Sequence, residues 1–276
     1  MTSESLIADR MELRDFMNTV AQAPSSALLL DYDGTLAPFS SDRQNALPYP
    51  GVAPILHEIM LSGRTRVVVV SGRNAYEVLF LLRIDPLPEV WGSHGLQRLL
   101  PDGSCHMPHV DTAVSEGLAE AGRWLAEQGL QRSTEFKPGA VALHWRGTRN
   151  SRALDLRDDV VRAWTLIAHR ANLSLLDFDG GIEIRMPDLD KGDAVRTILQ
   201  EMRPDIPVAY LGDDTTDERA FRALGDHGLS ILVRPEWRRT CAQLWLKPPG
   251  EVLDFLVQWR TACSASKADN GRYRDE

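Results

Sequence analysis

Two aspartates, Asp31 and Asp33, flank one tyrosine directly behind the apolar run Ala27-Leu28-Leu29-Leu30 and ahead of Gly34-Thr35-Leu36. Carboxylates at the end of a buried strand are poor core residues, because burying an unpaired charge is costly. They suit a site that holds a metal and attacks phosphorus. Asp31 is placed to act as a nucleophile that takes a phosphoryl group, which splits hydrolysis into two easier steps. Asp33 is placed to protonate the leaving alcohol and later to deprotonate the attacking water. Mg²⁺, which prefers oxygen ligands and retains several waters, would neutralise the phosphate charge. Gly34 lets the chain turn sharply after the strand. Taken alone, the pair also fits a plain turn, since Asp and Gly both favour loops.

Three further clusters bear on that choice. Ser71-Gly72-Arg73 follows four consecutive valines. A hydroxyl and backbone N–H groups where a strand passes into a helix suit a phosphate oxygen, which makes Ser71, Gly72 and Arg73 candidate substrate contacts; an ordinary Ser N-cap is the alternative. Lys191 precedes a helical segment over 192–202 and could hold a phosphate as a point charge, or be a solvated surface lysine. Asp213, Asp214, Asp217 and Glu218 fall within six residues after the apolar run 208–211. They could complete and support a metal site, or form an acidic helix start favoured by the macrodipole.

The elements that must position these residues can be read from apolar patterning. Segments 26–30, 65–70, 88–91 and 208–211 are continuous apolar runs, as expected of parallel strands buried on both faces. Helical segments such as 51–61 and 74–82 fall between them, and a leading helix is expected over 1–23. The alternation predicts an α/β fold with a Rossmann-like doubly wound sheet. Ligands bind outside the carboxyl ends of the strands in such sheets, and every polar cluster named above sits at one. His94, in Gly92-Ser93-His94-Gly95, also lies at a strand end and is a candidate to face the cleft.

The middle of the chain changes character. Helices are expected over 111–128 and 151–169, beside strands that alternate: Val141, Leu143 and Trp145 share a face, as do Ile182, Ile184 and Met186. Period-two alternation predicts strands with one buried face packed under helices. An α+β domain is therefore placed at 106–186, inserted into a core of 1–105 and 187–264, with a disordered tail at 265–276. Glu135 and Lys137, His144 and Arg146, and Glu183 and Arg185 fall opposite the apolar residues of their strands. Mixed acids and bases on three strands suit recognition of hydroxyls.

The 276 residues carry a formal net charge of −8, which disfavours non-specific nucleic-acid binding. An anionic substrate would be repelled overall unless cations reverse the sign locally. No apolar run is long enough for a membrane span, and Met1 to Arg10 does not resemble a secretory leader. Three scattered cysteines indicate neither a zinc site nor a disulfide framework, and a reducing cytoplasm is expected.

The order D-x-D-G-T, Ser, Lys, G-D-D resembles the haloacid dehalogenase superfamily of phosphatases. D-Y-D-G-T-L, S-G-R, G-S-H-G, E-F-K…H-W-R, E-I-R-x-P…D-K-G and L-G-D-D-T-T-D-E are similar to the trehalose-6-phosphate phosphatase family. The resemblance implies Asp31 as nucleophile, Asp33 as general acid/base, and Ser71 and Lys191 as phosphoryl ligands. It implies Mg²⁺ on Asp31, the Asp33 carbonyl and Asp213, supported by Asp214 and Asp217. It points to Glu135, Lys137 and Glu183 as sugar contacts, with His144 and Arg146 as further candidates. From Asp31 to Ser71 is 40 positions and from Ser71 to Lys191 is 120, so the resemblance puts a C2-type cap in the second interval, one that would close over the substrate. Leu232-Val233-Arg234-Pro235-Glu236-Trp237 departs from the family, which commonly has Val-Gly there.

Together these imply a Mg²⁺-dependent hydrolase of trehalose 6-phosphate, a disaccharide phosphate. Glucosylglycerol phosphate or sucrose phosphate remain alternative substrates, and a sugar phosphomutase an alternative activity. Because relatives occur fused to a synthase, a trehalose-6-phosphate synthase partner and a non-catalytic module also stay open.

Overall fold

The structure is a computed structural model that describes residues 3–40, 45–145, 150–178, 180–187 and 190–265. Arg146 and all but the first residue of the expected tail lie outside them. The chain divides into two compact units, Met1–Cys105 with Asp190–Glu276, and His106–Leu189.

The larger unit is built on an eight-stranded sheet. In chain order its strands are β1 (Ser26–Leu30), β2 (Thr65–Val70), β3 (Glu89–Gly92), β4 (Gln97–Leu99), β5 (Cys105–His106), β10 (Val208–Gly212), β11 (Leu229–Val233) and β12 (Leu244–Leu246). Their spatial order is β12-β11-β10-β1-β2-β3-β4-β5. The pairs from β12 to β3 are all parallel, and β4 returns antiparallel to β3. The chain leaves β1 toward β2 on one side and later fills β10 on the other. β1 and β10 therefore flank the switch point where such sheets bind ligands.

Alternate residues of these strands enter two separate cores. Leu28, Leu30, Val67, Val69 and Leu211 pack with α1 (Ser3–Gln22), α2 (Val52–Leu61), α3 (Ala75–Leu82) and α8 (Gly250–Ala265) through Val20, Leu56, Val78, Phe255 and Trp259. Ala27, Leu29, Val68, Val70 and Tyr210 pack with α6 (Lys191–Gln200) and α7 (Asp217–Leu224) through Val195, Ile198, Phe221 and Leu224. Burial on both faces is why these strands read as unbroken apolar runs.

The smaller unit pairs a four-stranded antiparallel sheet with two helices. Its strands are β6 (Thr134–Lys137), β7 (Ala140–His144), β8 (Ser174–Phe178) and β9 (Gly181–Arg185), in the order β6-β7-β9-β8. Val141, Leu143, Ile182 and Ile184 pack under α4 (Thr112–Glu127) and α5 (Asn150–Ala171) through Val114, Leu125, Val160 and Trp164. The expectation of a single buried face fails for the central strands. β9 is buried at all five positions, and Ala140 and Ala142 of β7 are buried as well. The reason lies in the register. Ala142 is flanked by Glu135 and Glu183, and Ala140 by Lys137 and Arg185. Short alanines let the long charged side chains of the outer rows reach across β7, so the polar side chains bury one another.

Candidate active site

β1 hands its last backbone bond to β10: the N–H of Asp31 donates to the Leu211 carbonyl at 2.8 Å. That register sets Asp31 beside the loop after β10, where Asp213 and Asp217 follow. Asp31 is only 4% exposed. Lys191, the first residue of α6, brings its Nζ to 2.7 Å from Asp31 Oδ1 and 2.8 Å from Asp217 Oδ1.

The ammonium is held in place from its own backbone. Asp190 caps α6 by accepting from the N–H groups of Gly192 and Asp193, and Asp193 returns a bond to the Asp190 N–H. Arg219 on α7 donates to the other Asp190 oxygen at 2.7 Å. Burial opposes ionisation of Asp190, but these donors outweigh it and hold its carboxyl below the usual range.

Asp217, fully buried, accepts four bonds. Lys191 and the Tyr210 hydroxyl (2.6 Å) reach Oδ1, and the N–H groups of Asp213 and Asp214 reach Oδ2 at 3.1 and 3.0 Å. Both oxygens are occupied by donors, so Asp217 orders the loop and the ammonium. Asp213 is the opposite case. It is buried, and no donor among the described residues reaches either of its carboxylate oxygens.

Asp31, Asp213 and Asp217 each bring an oxygen within 4.8 Å of the others. Three carboxylates thus face a single ammonium. Burial pushes the Asp31 carboxyl up to about 7, opposed by Lys191 and reinforced by the charge on Asp217. Burial, then the charges of Asp31 and Asp217, push Asp213 well above the usual carboxylate range. Burial would lower the Lys191 ammonium, but Asp217 and Asp31 outweigh it and keep it protonated. A buried, hard-oxygen cluster with excess negative charge and unpartnered oxygens fits a metal cation, which would offset the charge that burial disfavours. Asp31 and Asp213 have the oxygens to hold it.

Gly34 makes the approach possible. Its φ is +83°, and a Cβ there would lie 2.2 Å from Asp213 Oδ2 and 2.8 Å from the Phe39 ring. Gly72 has a similar role opposite His94, whose imidazole would lie 2.6 Å from a Cβ at that position. The His94 N–H donates to the Ser71 carbonyl at 3.0 Å. The cap of α3 is Asn74, which accepts from the Tyr76 N–H. Ser71 stands outside that helix start; its hydroxyl accepts from the Arg73 N–H at 3.1 Å, leaving its own proton to donate.

Arg73 is turned away from solvent, 2% exposed, and forks onto both oxygens of Asp33 at 2.7 Å. Asp214 turns its carboxylate back onto the Thr215 N–H at 2.7 Å. In the smaller unit, Lys137 Nζ lies 2.7 Å from Glu183 Oε2, and His144 Nε2 lies 2.8 Å from Glu135 Oε2. Glu135, Lys137, His144, Glu183 and Arg185 share one face by register.

Three residues escaped sequence reasoning. Tyr210 carries a polar tip inside an otherwise apolar strand, a signal that was there to read. Arg234 donates to the Asp213 carbonyl at 3.2 Å and Arg238 to the Asp214 carbonyl at 2.8 Å. Arg234 belongs to the stretch that departs from the family pattern, and Arg238 follows it directly.

The fold is that of the haloacid dehalogenase-like hydrolases. A B. subtilis protein of that description superposes with a TM-score of 0.59 at 13% identity, covering 84% of this chain and 99% of that one. Within that class the chain belongs to the trehalose-phosphatase family, whose model matches residues 29–241. The C-terminal domain of a C. albicans trehalose-6-phosphate phosphatase superposes with a TM-score of 0.78 at 19% identity, over 90% of this chain and 96% of that one. A trehalose-phosphate phosphatase of Mycobacterium marinum is 33% identical over 84% of this chain and 60% of its own length. A Mycobacterium tuberculosis protein named an uncharacterized glycosyl hydrolase is 33% identical over 96% of this chain and 20% of its own length. The chain thus spans between a fifth and three fifths of these curated relatives. Among the described residues no helix is long and apolar enough to cross a membrane.

Proposed function

We propose that the protein is a Mg²⁺-dependent phosphatase that hydrolyses trehalose 6-phosphate through a phosphoryl group carried on Asp31. The observation that carries this reading is the buried Asp31–Lys191 pair beside Asp213, whose two oxygens have no donor among the described residues. Asp31 attacks phosphorus as the bond from phosphorus to the sugar oxygen breaks. That oxygen keeps the electron pair and takes the proton of the Asp33 carboxyl. The Asp33 carboxylate then removes a proton from water as the water oxygen attacks phospho-Asp31, releasing phosphate and restoring Asp31. Ser71 and Lys191 hold the phosphoryl oxygens throughout, and the reaction is chiefly one of positioning and charge neutralisation. Bound Mg²⁺ supplies positive charge to the phosphoryl oxygens. Asp31 and Asp213 would hold it with the Asp33 carbonyl, and Asp217 keeps their loop and Lys191 in register.

Trehalose 6-phosphate is favoured by the family and by the names of relatives. Glu135, Lys137 and Glu183 are the proposed readers of the sugar hydroxyls, since paired acids and bases offer acceptors and donors together. The test is phosphate release from a panel of sugar phosphates, with and without Mg²⁺. Trehalose 6-phosphate should give the highest kcat/KM, and only with Mg²⁺. Preference for sucrose or glucosylglycerol phosphate would move the substrate, and an isomerised sugar phosphate without free phosphate would make the protein a mutase.

A further inference from the structure

We propose that Arg73 is a positioning residue for the proton-transfer step: it holds Asp33 in a rest orientation from which the leaving-group proton is delivered. The proposal rests on the phosphatase reading of this site and concerns a residue whose side chain is bonded to Asp33 and Glu77. The Arg73 Nε and Nη2 groups donate to Asp33 Oδ2 and Oδ1, each at 2.7 Å, a two-point fork. Its Nη1 reaches Glu77 on the next turn at 3.3 Å. The guanidinium carbon lies 5.6 Å from the centre of the Tyr32 ring, and the Tyr32 hydroxyl is tied to the Ala46 carbonyl at 2.7 Å.

A planar fork held on three sides fixes a carboxylate in both position and plane, which a lysine cannot do. The Asp33 side chain itself is 28% exposed. Without Arg73 nothing in this fork would restrain its rotamers. Because both Asp33 oxygens accept from the fork, at least one of these bonds must open for an Asp33 oxygen to take a proton from solvent and pass it to the sugar oxygen. The same fork recaptures the carboxylate afterwards. Arg73 should therefore matter in proportion to how far the leaving oxygen needs a proton. An alkoxide leaving group needs one; a nitrophenolate does not.

The test compares kcat/KM for trehalose 6-phosphate and for p-nitrophenyl phosphate in wild type, Arg73→Met and Arg73→Lys, since kcat/KM reports only the steps through phosphoryl transfer. General acid catalysis contributes about 10²–10⁴-fold, and a misplaced group forfeits part of it. Arg73→Met should lower kcat/KM for the sugar ester by at least about tenfold more than for the aryl ester. Arg73→Lys should show the same selective loss, smaller in size, and decides the matter if the methionine variant does not fold. In an Asp33→Asn background, Arg73→Met should add nothing to the sugar-ester loss.

Equal losses on both esters, or an equal rise in KM for both, would make Arg73 a structural or a substrate-binding residue and overturn the proposal. Wild-type protein inert toward both esters would instead sink the phosphatase reading and the proposal with it.

Discussion

At the scale of single residues, Asp213 is the least satisfied group in the site, a buried carboxylate with no donor on either oxygen among the described residues. Burial and the charges of Asp31 and Asp217 disfavour its ionised form, and a cation would offset them. With Asp31 raised from 3.8 to about 7 and Asp213 raised above the usual carboxylate range, the metal-free folded protein holds protons that the unfolded chain has released. Protonation of Asp31 therefore contributes stability that is fully present below pH 3.8 and is lost as the pH rises through about 7, and Asp213 acts in the same direction. A cation replaces those protons, so the gain in Tm on adding Mg²⁺ should grow from pH 6 to pH 8. Asp213→Asn should raise the Tm of the metal-free protein, flatten its pH slope and remove most of the Mg²⁺ response. Thermal melts across that range check all three, and a Mg²⁺ gain that is independent of pH would contradict them.

At the scale of elements, the site depends on how closely the turn after β1 approaches the loop after β10. Gly34 combines a φ of +83° with an Asp213 oxygen where its Cβ would be, whereas Gly63, at φ +69°, has open space. Gly63→Ala isolates the conformational cost, about 1–2 kcal/mol. Gly34→Ala adds a collision with the acidic cluster and should cost more stability, abolish the Mg²⁺ response and remove activity. Equal Tm losses in the two variants would show that the loops can part without consequence. The same elements show why parts of the structure were legible. β1, β2 and β10 are buried on both faces, and their continuous apolar runs announced both the strands and the clusters at their ends. α7 was harder to read, because Asp217, Glu218, Arg219 and Arg222 dilute the stripe of Ala220, Phe221 and Leu224 in eight residues. β12 has only three residues, and β11 is interrupted by Ser230, whose N–H and hydroxyl are both taken up by Gln243. The roles of Arg234 and Arg238 were hidden for another reason. They bond backbone carbonyls, which leave no trace in residue type. Arg73 was legible as part of a phosphate cluster, but its fork onto Asp33 depends on a contact 40 residues back along the chain.

At the scale of the whole molecule, a net charge of −8 sits uneasily with an anionic substrate. Lys191 and a bound cation are the local answer, at the one place where three carboxylates would otherwise repel phosphate. In the proposed reading the chain also separates chemistry from recognition: Asp31, Asp33 and Lys191 lie in the larger unit, and the mixed polar face of Glu135, Lys137, His144, Glu183 and Arg185 lies in the smaller one. The central claim is that phosphorus passes through Asp31. Acid quenching during turnover of trehalose 6-phosphate with Mg²⁺, followed by mass spectrometry, tests it most directly. The phosphoryl group should appear on the peptide that contains Asp31 in the wild type, and Asp31→Asn should fold, carry no phosphoryl group and release no phosphate. Phosphate release at the wild-type rate by Asp31→Asn, with no phosphorylated peptide, would contradict it.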